Sequence, residues 1–148
     1  RRALAAALAG GNPPAEEAAR EEPLERFGFR VVSMGLAAYP GSPASDHSVS
    51  AMARRDVDLA GHASRPADLA LLADLDLVLT MTASHRDALA AGLAGSGVPE
   101  ATALIERIEL LDPDGRDVAD PFGGDAARYE EASRQIEAAV LRRVADWA

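Results

Sequence analysis

The sequence predicts an α/β domain in three layers, a parallel sheet flanked by helices. Apolar runs of strand length, at residues 29–33, 76–81 and 105–111, alternate with segments whose apolar residues recur every three or four positions. Breaks rich in Gly and Pro separate them. Alternation of this kind builds a parallel sheet, and 148 residues suffice for a single domain with a full core.

Taken in order, residues 1–9 (RRALAAALA) read as a helix ended by Gly10-Gly11. The run is short and leads into NPPAEEAAREE without a processing site, so it reads as an ordinary helix rather than a signal peptide. A short helix fits 14–21, with Pro13 and Pro14 at its first turn and acidic residues near its N-terminal end. After Gly28, Phe29-Arg30-Val31-Val32-Ser33 reads as a strand, and MGLAAYPGSPAS as a loop. Ser45 caps a helix through 46–55 whose inner face is Val49 and Met52. DVDLAGHASRP is a second loop, and Pro66 opens a helix with Leu69, Leu72 and Leu75 inward.

Residues 76–81 form the next strand, followed by a helix that starts at about Thr82 or Ser84. Gly95, Gly97 and Pro99 break the chain before a third strand at 105–111. The loop DPDGRDVADPFGG leads to Asp125, which caps a long last helix. Its inner face is Tyr129, Ala132, Ile136, Val140, Val144 and Trp147.

A net charge of −9 argues against a general nucleic-acid or anionic-membrane partner, and no apolar run approaches the ~20 residues of a membrane helix. Without cysteine, disulfides and thiolate metal sites are excluded. His47, His62 and His85 are not at metal-ligand spacing. The acidic run Asp112, Asp114, Asp117, Asp120 fails the calcium-loop register, with Arg116 at position five and Gly123 at position twelve. Serine-hydrolase, dinucleotide and phosphate-loop-lysine motifs are absent.

Ligands in open parallel sheets bind beyond the carboxyl ends of the strands, which here carry Ser33-Met34-Gly35, Thr80-Met81-Thr82 and the loop 112–124. In that loop Pro121 holds Asp120 extended and removes one N–H that would otherwise bond its carboxylate, leaving the side chain free to point elsewhere. Phe122 can supply an apolar wall that raises a carboxyl pKa, and Gly123-Gly124 permit positive φ or close approach. Taken alone, the segment reads more simply as a turn.

Four blocks in series change that balance: VVSMGLAAYPGSPASDHSV, DVDLAGHASRP, DLVLTMTASHRDAL and DVADPFGG with its long helix. Together they resemble the low-molecular-weight protein-tyrosine-phosphatase family, in particular its bacterial branch that includes protein-arginine phosphatases. The resemblance spans about residues 29–148. It implies a four-stranded sheet and cofactor-free hydrolysis of phosphorylated protein through a phosphocysteine formed on a C-x5-R-[S/T] loop. It also implies that Asp120 is the general acid/base and that Phe122 lines the substrate pocket. By the same resemblance His62 and Ser33 steady the phosphate loop, and Tyr39 contributes to the rim. A cytoplasmic setting goes with this reading; oligomeric state does not follow from it.

The cysteine and arginine of that phosphate loop are absent. Because the first residue is Arg, the expectation is a chain shortened at its N-terminus by roughly 20 residues: a strand, a loop and a helix start. In the family that strand is central, between those placed at 29–33 and 76–81, so two inner edges are expected to be unpaired. The 148 residues alone are therefore expected to be poorly stable and inactive. The alternative is a non-catalytic phosphatase-like binding or regulatory module. An arsenate reductase of the thioredoxin-coupled type is disfavoured, since its extra cysteines are missing.

Overall fold

A computed structural model describes residues 30–146. The helices expected at 1–9 and 14–21, with Phe29 and Trp147, lie outside the described residues. The described elements run α1 (Asp46–Ala53), α2 (Leu69–Ala73), β1 (Val78–Thr80), α3 (Ala83–Gly95), α4 (Ala101–Ile105), β2 (Ile108–Leu110) and α5 (Ala126–Asp146).

β1 and β2 pair in parallel, with Val78 opposite Ile108 and Thr80 opposite Leu110. Because side chains alternate across a strand, the sheet feeds two cores. On one face Val78 and Ile108 pack with Leu93 of α3 and Leu104 of α4. On the other, Leu79 and Met81 pack against Leu111, Val118, and Ala139 and Val140 of α5. Helices on both faces of a parallel sheet make the three layers.

Local signals explain most boundaries. Ser45 accepts the Ser48 N–H at the start of α1, and Thr82 accepts the His85 N–H at the start of α3. Asp125 accepts the Arg128 N–H at 3.1 Å to start α5. On α5, Tyr129, Ala132 and Val140 are buried, with Ile136 and Val144 partly buried against the core. Arg55 fastens α1 to α5 through Glu130 at 2.7 Å and Glu137 at 3.2 Å, and His47 packs its ring 5.3 Å from that of Tyr129.

Three sequence expectations are corrected. α2 begins at Leu69, not Pro66, because Pro66 bridges Gly35 and Asp68 caps the helix through the Ala70 N–H. The run before β2 contains α4, five residues long, and only Ile108–Leu110 remain as strand. Residues 30–34 form no strand. Among the described residues their backbone finds no hydrogen-bond partner before Gly35, whose N–H donates to the Arg65 carbonyl at 2.9 Å.

The reason lies across from them. A cavity of about 630 Å³ separates Val31, Val32 and Ser33 from Leu77, Val78 and Leu79. Val78 and Thr80 turn their peptide groups to β2, so alternation directs those of Leu79 to the other side, where no described residue meets them. A strand is defined by its neighbour, and the apolar segment at 30–34 has none among the described residues.

Leu111 is 1% exposed at the centre of the α5-side core. Leu111→Ala is expected to cost about 2–5 kcal/mol, read as a lower denaturant midpoint in urea melts.

Candidate active site

The loop between β2 and α5 is pinned at both ends. Leading out of β2, the Leu111 N–H donates to the Thr80 carbonyl at 2.8 Å, and the Val118 N–H to the Met81 carbonyl at 2.8 Å. Val118 is 6% exposed and belongs to the core. The Asp117 carboxylate accepts the Ala83 N–H at 2.8 Å, placing negative charge on the first turn of α3.

The acids weighed as a calcium loop have arginine partners. Asp112 is held by Arg116 at 2.9 Å and Arg142 at 2.8 Å, and Asp114 by Arg116 at 2.7 Å and also by Arg142. Burial pushes the Asp112 carboxyl up, but the Asp114 N–H and the two guanidinium groups together outweigh it and hold the group below its ordinary value. Arg143 seals the same corner, donating to the Leu111 carbonyl at 3.2 Å and to Glu109 at 2.6 Å.

Between these pins Asp120 is exposed. Its carboxylate accepts the Phe122 N–H at 2.9 Å, a turn in which the missing Pro121 donor is replaced by the next one along. The carboxylate thus has a local partner, contrary to the expectation that it would be free. Phe122 is 86% exposed, so among the described residues it builds no apolar wall around Asp120. The two glycines divide their work: Gly123 takes φ 74°, whereas Gly124 leaves room for Arg128 and the Pro121 carbonyl.

The remaining candidates sit on a second group of loops. Ser33, half-buried, lines the cavity, with Met81 and His85 on its other walls. Tyr39 is 81% exposed, and its carbonyl accepts the Ser64 hydroxyl. Ser64 also exchanges backbone bonds with Gly41 and Ser42, stitching the Tyr39 loop to the His62 loop. His62 donates its backbone N–H to Leu59 at 3.0 Å, and its buried Nδ1 meets no partner among the described residues. Asp120 and Phe122 therefore belong to one anchored loop, and Tyr39 and His62 to another stitched pair; among the described residues no hydrogen bond joins the two. Sequence reading missed Asp117 as an anchor, because a cap supplied from 34 positions away leaves no local pattern.

A parallel α/β domain whose β2–α5 loop folds an Asp-Pro-Phe-Gly-Gly turn over the carboxyl end of its sheet has the form of a small phosphatase. The family model of low molecular weight phosphotyrosine protein phosphatase matches residues 12–145, and the chain belongs to that family. It is 32% identical over 134 residues to the protein-arginine-phosphatase of Bacillus subtilis, covering 89% of this chain and 85% of that protein. It is 27% identical over 113 residues to the probable low molecular weight protein-tyrosine-phosphatase EpsP of Ralstonia nicotianae, covering 76% and 73%. Among solved structures, YwlE arginine phosphatase from Geobacillus stearothermophilus superposes with a TM-score of 0.72 at 26% identity, over 99% of this chain and 84% of that one.

Two outcomes follow from the pins. Asp117→Ala is expected to speed hydrogen exchange at the Ala83 and Val118 amides and to cost about 1 kcal/mol, measured by NMR exchange and a urea melt. Asp112 binds its proton less readily folded than unfolded. Its contribution to stability is therefore full above its ordinary value and is lost as pH falls through the folded one. Asp112→Asn should flatten the decline in stability below about pH 5, followed by melts across an acid series.

Proposed function

We propose that this chain carries the acid–base half of a protein phosphatase that removes phosphate from phosphorylated side chains of proteins through a phosphocysteine. Asp120 in its protonated form gives its proton to the leaving atom as the P–O or P–N bond breaks. As a carboxylate it then takes a proton from the water that attacks the phosphocysteine, so one group serves both steps. Supporting this is the placement of an exposed carboxylate on a loop pinned at Val118, Asp117 and Asp112 to the carboxyl end of the sheet. Phe122 and Tyr39, both strongly exposed, are the apolar surfaces offered to the substrate side chain. His62, through its unpartnered Nδ1, and Ser33, at the cavity wall, are the groups offered to a neighbouring phosphate loop.

The nucleophile and the phosphate-holding arginine are not among these 148 residues, which contain no cysteine, so the chain by itself is expected to be inactive. Favouring phosphoarginine over phosphotyrosine are the single aromatic Phe122 followed by Gly123, and the 32% identity to a protein-arginine-phosphatase. No described helix is long and apolar enough to cross a membrane, which is compatible with action in the cytoplasm. The lack of cysteine also favours a second reading, a binding module without turnover.

The test assays the product of the complete reading frame on phosphoarginine and phosphotyrosine peptides, beside the 148-residue chain. The complete product is expected to turn over phosphoarginine faster. Asp120→Asn should lower kcat by about 10²–10⁴. Turnover unaffected by that change would remove Asp120 from the reaction, and no turnover by the complete product would leave the binding module standing.

A further inference from the structure

Gly124 has an ordinary φ, so its need for glycine comes from contact. A Cβ there would lie 2.5 Å from Arg128 Cδ, 3.1 Å from Arg128 Cβ and 2.9 Å from the Pro121 carbonyl oxygen. The backbone oxygen cannot yield cheaply, so a side chain at 124 would have to push the Arg128 stem aside. That stem lies across the loop, two residues beyond Phe122, with its Cδ fixed against the turn that carries Asp120.

The cation at its end is unspent. Arg54, Arg55, Arg116, Arg134, Arg142 and Arg143 each hold a carboxylate. No hydrogen bond or ion pair reaches the exposed Arg128 guanidinium among the described residues. In a chain of net charge −9 this leaves an exposed guanidinium, without a described carboxylate partner, on a stem that packs against the turn carrying Asp120. An unpaired arginine can favour an acidic neighbour through direct pairing even on a surface of net negative charge.

We propose that Arg128 is a specificity-determining residue that binds a carboxylate of the protein substrate next to the phosphorylated side chain. The proposal rests on the reading of Asp120 as the acid/base. Exposed Phe122 offers an apolar surface beside it, while Arg128 pairs with a neighbouring Asp or Glu. The arginine fork suits a carboxylate acceptor.

The experiment uses the product of the complete reading frame and two phosphopeptides that differ only by Glu or Gln beside the phosphorylated residue. The wild type is expected to prefer the Glu peptide by about two- to fivefold in kcat/KM, the scale of an exposed ion pair. The preference should sit in KM and fade as salt is raised. Arg128→Ala should abolish it, Arg128→Lys should keep part of it, and Gly124→Ala, which displaces the stem, should weaken it. An equal preference in wild type and Arg128→Ala would overturn the proposal. So would an Arg128→Ala variant that loses the same factor on both peptides, since Arg128 would then act on the phosphate or on the loop as a whole. Absence of turnover on either peptide by the wild type is a different result: it removes the phosphatase reading beneath, and this inference with it.

Discussion

The hydrogen bond from the Val118 N–H to the Met81 carbonyl, at 2.8 Å, governs where the candidate site can form. It extends the pairing of β1 one step past the end of the strand, using the chain that returns from β2. Once Val118 is fixed there its side chain enters the core beside Leu111, Ala139 and Val140. Its neighbour Asp117 comes within reach of α3, and Asp120 follows two residues later at the carboxyl edge of the sheet. The salt-bridged corner of Asp112, Asp114, Arg116 and Arg142 does for the start of the loop what Val118 does for its middle. It ties three loop charges, which would otherwise favour an extended, solvated loop, to Arg142 of α5 as a brace.

The other edge of β1 shows the opposite case. Leu79 offers a peptide group that no described residue takes, and Val31 to Met34 offer more across the cavity. Apolar packing can still hold such a segment: Val31 packs on the α5-side core although its backbone is not paired. Side-chain burial and ladder formation are therefore separable here. The first needs only an apolar surface; the second needs a neighbour at strand spacing.

That separation explains what could be read from the sequence. Caps and amphipathic faces are local, so Ser45, Thr82, Asp125 and the Tyr129–Ala132–Val140 face of α5 were legible. The strand at 29–33 was inferred from β-branched, apolar residues, which report fitness for a sheet and not the presence of a partner. Pro66 looked like a helix start because its bridge to Gly35 is a tertiary fact. α4 escaped notice for want of a signal, since Glu100 makes no side-chain cap and the helix is five residues long. In the candidate site, the Pro and Gly neighbours of Asp120 spell a turn and only the resemblance of four blocks in series marks it as a candidate, whereas the contacts of Asp117 with Ala83 and of Arg128 with Gly124 leave no local pattern.

The acid/base role proposed for Asp120 sets competing requirements: its flanks must be immobile, and its carboxylate must remain open to solvent and substrate. The loop meets both by placing its anchors on either side of the exposed turn. Upstream stand Asp112 and buried Val118; downstream stand the Asp125 cap and buried Tyr129. The hydrogen-bonded anchors reach β1, α3 or α5, while the core around Val118 also takes in Val31. The loop proposed to carry the acid/base is thus braced on both sides of its exposed turn.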